Sequence, residues 1–287
     1  MVDDPNERSG RLPTFLVIGA PKAGTTSLHD HLRRHPDVFM PTRKEPNFFS
    51  DDAAWAEGVA SYARLFRHAG RASAVGEAST SYSRYPHVPA VPERIAQLLP
   101  EVRLVYVVRH PIARMVSQYR FRRAKGWERR SIDDALSNDD AYLAPSRYAM
   151  QLERYLQSFP LEQMLVIRSE DLLTDPLTTV ATVFGFVGVD PAAAGPLPDT
   201  RLNTSEASAL RRGPDRLRRM IRRVPGYRRA VDSLPSAVRS SVTAPFADRS
   251  GSAVAPSPEV DARLRTVLRA DVERLERSLG RDLSWDL

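Results

Sequence analysis

The segment from Gly19 to Leu28, GAPKAGTTSL, constrains this chain more than any other. It follows an apolar run, Phe15 to Ile18, and opens a stretch with helical spacing. Strand, glycine turn and helix in that order make an anion cradle. The first N–H groups of a helix have no intrahelical acceptor, and the helix dipole adds positive potential there. Gly19 and Gly24 keep the spacing of the nucleotide loop G-x-x-x-x-G-K-[ST], yet Thr25 stands at the lysine position and Lys22 lies inside the loop. The cradle is of phosphate type, and the magnesium–triphosphate arrangement is altered.

A second apolar run, Val102 to Val108, is β-branched and continuous, as in a strand buried in a parallel sheet. A magnesium-dependent nucleotide enzyme needs an acid at the end of such a strand; here the chain continues Arg109-His110-Pro111. Arginine at the carboxyl end of a strand, where open α/β sheets bind their ligands, suits an anion. Ser117 falls on the helix that follows, so a hydroxyl and a guanidinium can hold one phosphate together.

Further helix signals cover Thr25–His35, Pro92–Leu99, Arg147–Phe159, a segment from Asp175-Pro176 toward Phe186, and Pro258–Leu279 stopped by Gly280. Ala74–Gly76 and Met164–Ile167 are further strand candidates. The alternation predicts an α/β fold, a P-loop-like three-layer arrangement with a central parallel sheet flanked by helices. We expect a disordered tail over residues 1–11 and a single domain over 12–287. Within it, 191–258, rich in Pro, Ser and Arg, forms a less regular cap or surface excursion.

The chain has 287 residues, 42% of them hydrophobic, enough for a full core, and no cysteine, which excludes disulfides and thiolate chemistry. The N-terminal segment lacks the apolar stretch of a secretory signal and no later run reaches membrane-spanning length, so the expected location is cytoplasmic. The net charge of +7 suits anionic ligands, but it is spread along the chain without a nucleic-acid-binding motif. The only lysines are Lys22, Lys44 and Lys125. His31 and His35 have metal-pair spacing but no third ligand nearby, so we expect packed or surface histidines and no metal site.

The P-K-x-G-T-T-S-L arrangement resembles the phosphosulfate-binding loop of sulfotransferases that use 3′-phosphoadenosine 5′-phosphosulfate (PAPS). R-H-P-x-x-R-x-x-S, Arg109 to Ser117, looks like the 3′-phosphate site of the same group, and PTRKEPNFFS, Pro41 to Ser50, resembles the K-E-x-x-[FY]-F segment of heparan-sulfate-type and related bacterial members. The resemblance extends from about Phe15 to Phe186 and returns weakly at LERSLGRDLSW. It implies that Lys22 meets the leaving oxygen and that Glu45 is the catalytic base, beside Phe48 and Phe49, whose apolar rings raise a carboxylate's pKa. It implies that Ala23, Gly24, Thr25, Thr26 and Ser27 hold the 5′-phosphate with Lys22, and that Arg109 and Ser117 hold the 3′-phosphate. Lys44 is placed near the sulfate, Arg114 is a weaker phosphate candidate that also suits a helix surface, and Glu77 is a secondary acid or orienting residue.

GEASTSY, Gly76 to Tyr82, departs from the glycosaminoglycan enzymes in having Ala78 where they carry lysine. Tyr82, Tyr85 and Trp55 are candidates for an acceptor pocket, and Arg201, Asn203, Arg211 and Arg212 are possible contacts on the nucleotide's 3′ side. The expected activity is transfer of a sulfuryl group from PAPS to a hydroxyl, in preference to an amine, of a carbohydrate, glycolipid or natural product. No metal is required, and partners are PAPS, its product adenosine 3′,5′-bisphosphate (PAP) and the acceptor, with a homo-oligomer compatible. The rival readings are a magnesium-dependent P-loop kinase and a non-catalytic nucleotide- or polyanion-binding protein.

Overall fold

A computed structural model describes residues 11–195 and 254–287. Five strands form one sheet: β1 (Phe15–Gly19), β2 (Val38–Phe39), β3 (Ala74–Ala78), β4 (Arg103–Val108) and β5 (Met164–Arg168). They lie in the order β2-β3-β1-β4-β5, and every pairing is parallel. β1 and β3 are buried throughout, as is β4 beyond Arg103, which is why these strands are continuous apolar runs rather than alternating ones.

This is the expected fold class, and its order matters for the site. From β1 the chain runs to the edge strand β2, returns to β3 beside β1, and then crosses to β4 and β5 on the other side. The crevice between the carboxyl ends of β1 and β4 is therefore the topological switch point, where open α/β sheets bind ligands. The Gly19–Gly24 loop and Arg109 leave the sheet on either side of it.

Helices α1 (Thr25–Leu32), α2 (Val91–Leu98), α3 (Pro111–Ala124), α4 (Tyr148–Leu156), α5 (Pro176–Val187) and α6 (Pro258–Leu279) correspond to the sequence signals, with shorter ends at two of them. α1 stops at Leu32 rather than His35, because the chain turns through Arg33 and Arg34 toward Pro36. α4 is trimmed at both ends relative to Arg147–Phe159. β3 runs two residues beyond Gly76, and the two-residue β2 gave no periodic signal to read. Two predicted caps are present: Asp175 accepts from Thr178 N at the start of α5, and Gly280 ends α6 with φ 63°.

α6 buries Leu264, Leu268, Val272 and Leu275, whereas Val267 is 40% exposed. It also contributes Asp271, whose buried carboxylate accepts from Ala149 N and Met150 N and so caps α4 from another helix. Burial raises the pKa of this group. Trp285, beyond α6, packs against Tyr148 with ring centroids 5.8 Å apart. Arg11, the last residue of the expected tail, donates to Gly70 O and Ala72 O; residues 1–10, most of the 191–258 excursion, and Arg201, Asn203, Arg211 and Arg212 lie outside the described residues.

Candidate active site

Gly19 ends β1 where no larger residue fits: a Cβ there would stand 1.8 Å from Ser83 Oγ. The chain then stays against the sheet through Ala20 N, which donates to Val107 O at 2.6 Å. Gly24 adopts φ 93° and starts α1 without a capping side chain, and no acidic residue lies in the helix's first turn. The N-terminal potential of α1 is therefore not offset by its own residues, which suits an anion at Gly24 to Ser27. Lys22 (φ 69°), Glu45 (φ 61°) and Asn47 (φ 59°) also take left-handed conformations. These cost on the order of 1–3 kcal/mol each and persist only where the surroundings impose them. Lys22 and Glu45 are the two residues for which sequence implied catalytic roles.

Three cations hold the loop. Arg109 Nη1 donates to Lys22 O at 3.3 Å, Arg114 Nη1 to Pro21 O at 3.4 Å, and Lys44 Nζ to Thr25 Oγ1 at 3.0 Å. Arg109, half-buried at the end of β4, is fixed by Tyr148, whose hydroxyl donates to Arg109 O at 2.7 Å. Ser117 is half-buried on α3, two turns after its N-cap His110.

Arg114 is not a helix-surface residue. It is fully buried, its guanidinium donating to Ser146 Oγ, Gln118 Oε1 and Tyr142 O as well as to the loop. The segment over 139–146 covers it, which helical spacing within α3 does not reveal. Burial lowers its pKa to about 10, so it remains a cation at neutral pH. All four of these acceptors are neutral, so they satisfy its hydrogen bonds without balancing its charge.

Glu45 reaches the same place from the other side. Its carboxylate accepts from Thr80 N at 2.8 Å, and Lys44 Nζ donates to it at 2.6 Å while also bonding Thr25. Lys44 thus joins Glu45 to the loop rather than leaving it on a remote surface. The Pro41–Ser50 loop is stitched to the end of β3 by Glu45 N to Ala78 O, Asn47 N to Ser79 Oγ, and Ser81 Oγ to Asn47 Oδ1.

Phe48 and Phe49 turn into the core, where Phe48 stacks on Tyr62 with centroids 4.2 Å apart. The carboxylate this aromatic cluster encloses is Glu77. It is 1% exposed, and burial raises its pKa to about 7 although Tyr82, Ser79 and Tyr62 all donate to it; the charge of Glu45 adds to the rise. Tyr82 is therefore a buried partner of Glu77 and not a pocket wall, whereas Tyr85 and Trp55 are half-buried. His35 is packed, its Nε2 within 2.8 Å of Asp190 O, and His31 is buried as well.

The structure brings the loop, Arg109 and Glu45 together. The clamp that Arg114 and Lys44 place on the loop, and the burial of Glu77, are not legible in the local sequence. The polar density of GEASTSY is the nearest signal to the last of these.

A family profile for the sulfotransferase domain matches residues 12–207, and the chain belongs to that family. It is 33% identical over 193 residues to mouse heparan sulfate glucosamine 3-O-sulfotransferase 3A1, a match covering 64% of this chain and 48% of that protein. It is 29% identical over 201 residues to bovine bifunctional heparan sulfate N-deacetylase/N-sulfotransferase 2, covering 63% of this chain and 22% of that one. The chain thus spans about half the length of the first of these relatives. A sulfotransferase from Alicyclobacillus acidocaldarius superposes with a TM-score of 0.68 at 25% identity, covering 96% of this chain and 98% of that one. Among the described residues no helix is long and apolar enough to cross a membrane.

Proposed function

We propose that this protein transfers a sulfuryl group from PAPS to a hydroxyl acceptor, with a carbohydrate as the preferred class. PAPS supplies the sulfuryl group and leaves as PAP. The observation that carries the reading is the meeting of the β1 loop with Arg109 on one side and the Lys44–Glu45 pair on the other. The first-turn amides of α1 hold the 5′-phosphate, and Arg109 with Ser117 holds the 3′-phosphate.

Lys22 stabilises the negative charge that develops on the departing oxygen, and Glu45 takes the proton of the attacking hydroxyl at its carboxylate. The amide of Thr80 orients that carboxylate, and Lys44 ties it to Thr25. Arg109 in place of an acid at the end of β4 disfavours the magnesium-dependent kinase reading, and the paired Glu45 disfavours simple nucleotide storage. Incubation of the chain with PAPS and a panel of glycosides, read by mass spectrometry, tests the proposal. Products heavier by one sulfuryl group are expected. Phosphorylated products with ATP and magnesium, and none with PAPS, would overturn it.

A further inference from the structure

Trp127 exposes 66% of its surface, yet its backbone is fixed on both sides. α3 ends with Lys125 N bonded to Phe121 O, Gly126 N to Arg123 O and Trp127 N to Arg122 O. On the far side the buried Glu128 carboxylate accepts from Arg129 N, Arg130 N, the Arg130 guanidinium and the Tyr142 hydroxyl. The indole is thus held out in water by a rigid turn, and a rigid, exposed aromatic is the residue type that anchors ligands.

Its position relative to Lys22 gives the exposure a direction. The Lys22 ammonium lies 4.4 Å over the Phe121 ring, and the Trp127 ring meets Phe121 edge-on with centroids 5.9 Å apart. These two spacings place the indole centroid within about 10 Å of the ammonium, a span that a second ring linked to the reacting one covers. Lys125 Nζ lies 6.0 Å from the indole centroid, and the exposed Arg123 and Arg129 flank it in sequence. Donors around a flat apolar face match a pyranose, whose C–H face stacks on indole while its hydroxyls accept; a bare aryl ring would leave the donors without acceptors.

We infer that Trp127, backed by Phe121, is a subsite for the sugar ring adjoining the one that is sulfated, so that the acceptor is at least a disaccharide unit. The inference rests on the sulfotransferase reading, and PAP binding is measured separately so that the two can fail independently. Calorimetric titrations of the full chain, with and without saturating PAP, would use cellobiose, methyl β-glucoside and phenyl β-glucoside on wild type, Trp127→Ala and Trp127→Phe.

Cellobiose should bind about tenfold or more tightly than methyl β-glucoside; Trp127→Ala should erase that gap and Trp127→Phe should keep most of it. The affinity for PAP and the ligand-free melting temperature should be the same in all three proteins. No gap in wild type, whether from equal binding or from no binding, would overturn the subsite, as would a gap that survives Trp127→Ala. Tighter binding of phenyl β-glucoside than of cellobiose would overturn the assignment to sugar. Failure of PAP to bind would instead overturn the donor reading.

Discussion

The Arg109 guanidinium donates to the main-chain carbonyl of Lys22 across 3.3 Å, which ties the end of β4 to the interior of the loop after β1. A carbonyl satisfies a hydrogen bond without balancing the cation's charge, so an anion in the crevice gains the guanidinium as a partner. PAP should therefore raise the melting temperature well above the effect of AMP, which lacks the 3′-phosphate. At about 100 times its dissociation constant a ligand stabilises by roughly 2.7 kcal/mol, visible as a thermal shift. Arg109→Ala should remove most of the difference between PAP and AMP. Equal shifts for the two nucleotides in wild type would remove Arg109 from 3′-phosphate recognition.

Lys22→Ala deletes a half-buried side chain whose expected partner is charge that develops only as the donor departs. Turnover at saturating PAPS should fall by about 10²- to 10³-fold, the usual cost of one such electrostatic donor. The ligand-free melting temperature should change little. Single-turnover rates measured beside thermal melts separate the two effects, and near-wild-type turnover would exclude Lys22 from the chemistry.

Glu45→Gln keeps an oxygen for Thr80 N to bond and removes the basic carboxylate. The expected result is a loss of about 10²- to 10⁴-fold in kcat with PAP affinity retained. A rise in acceptor KM at constant kcat would instead make Glu45 a binding residue.

The sheet and the loop were legible because burial on both faces writes a strand as an unbroken apolar run and a glycine turn leaves a fixed spacing. Arg109 and Ser117 could be placed because chain order alone puts them at the end of β4 and on the next helix. Arg114 could not, since its burial depends on the segment over 139–146 folding across α3, a contact between residues distant in sequence. Asp271 capping α4 from α6 is hidden for the same reason. The aromatic pair at Phe48 and Phe49 was recognised, but local sequence does not say that its rings enclose a carboxylate on another strand. Glu77 was thereby ranked below its place in the structure.

Glu77 gives the stability of this fold a defined pH dependence. Burial raises its pKa from 4.5 to about 7 in the folded chain, with Tyr62, Tyr82 and Ser79 donating to it and Glu45 and Tyr155 also interacting with it electrostatically. Between these values the folded state holds a proton that the unfolded state has lost, so stability is full below about pH 4.5 and declines as pH rises through 7. A shift of that size corresponds to about 3 kcal/mol for a fully buried group. Glu77→Gln cannot titrate, so relative to wild type it should gain stability from pH 5 to pH 8 by an amount of that order. Because Ser79 bridges Glu77 to Asn47 N in the Glu45 loop, the same variant should also shift the pH profile of kcat. Urea unfolding of both proteins at pH 5 and pH 8 provides the check. A difference in stability that stays constant between the two pH values would show that Glu77 does not carry the buried charge.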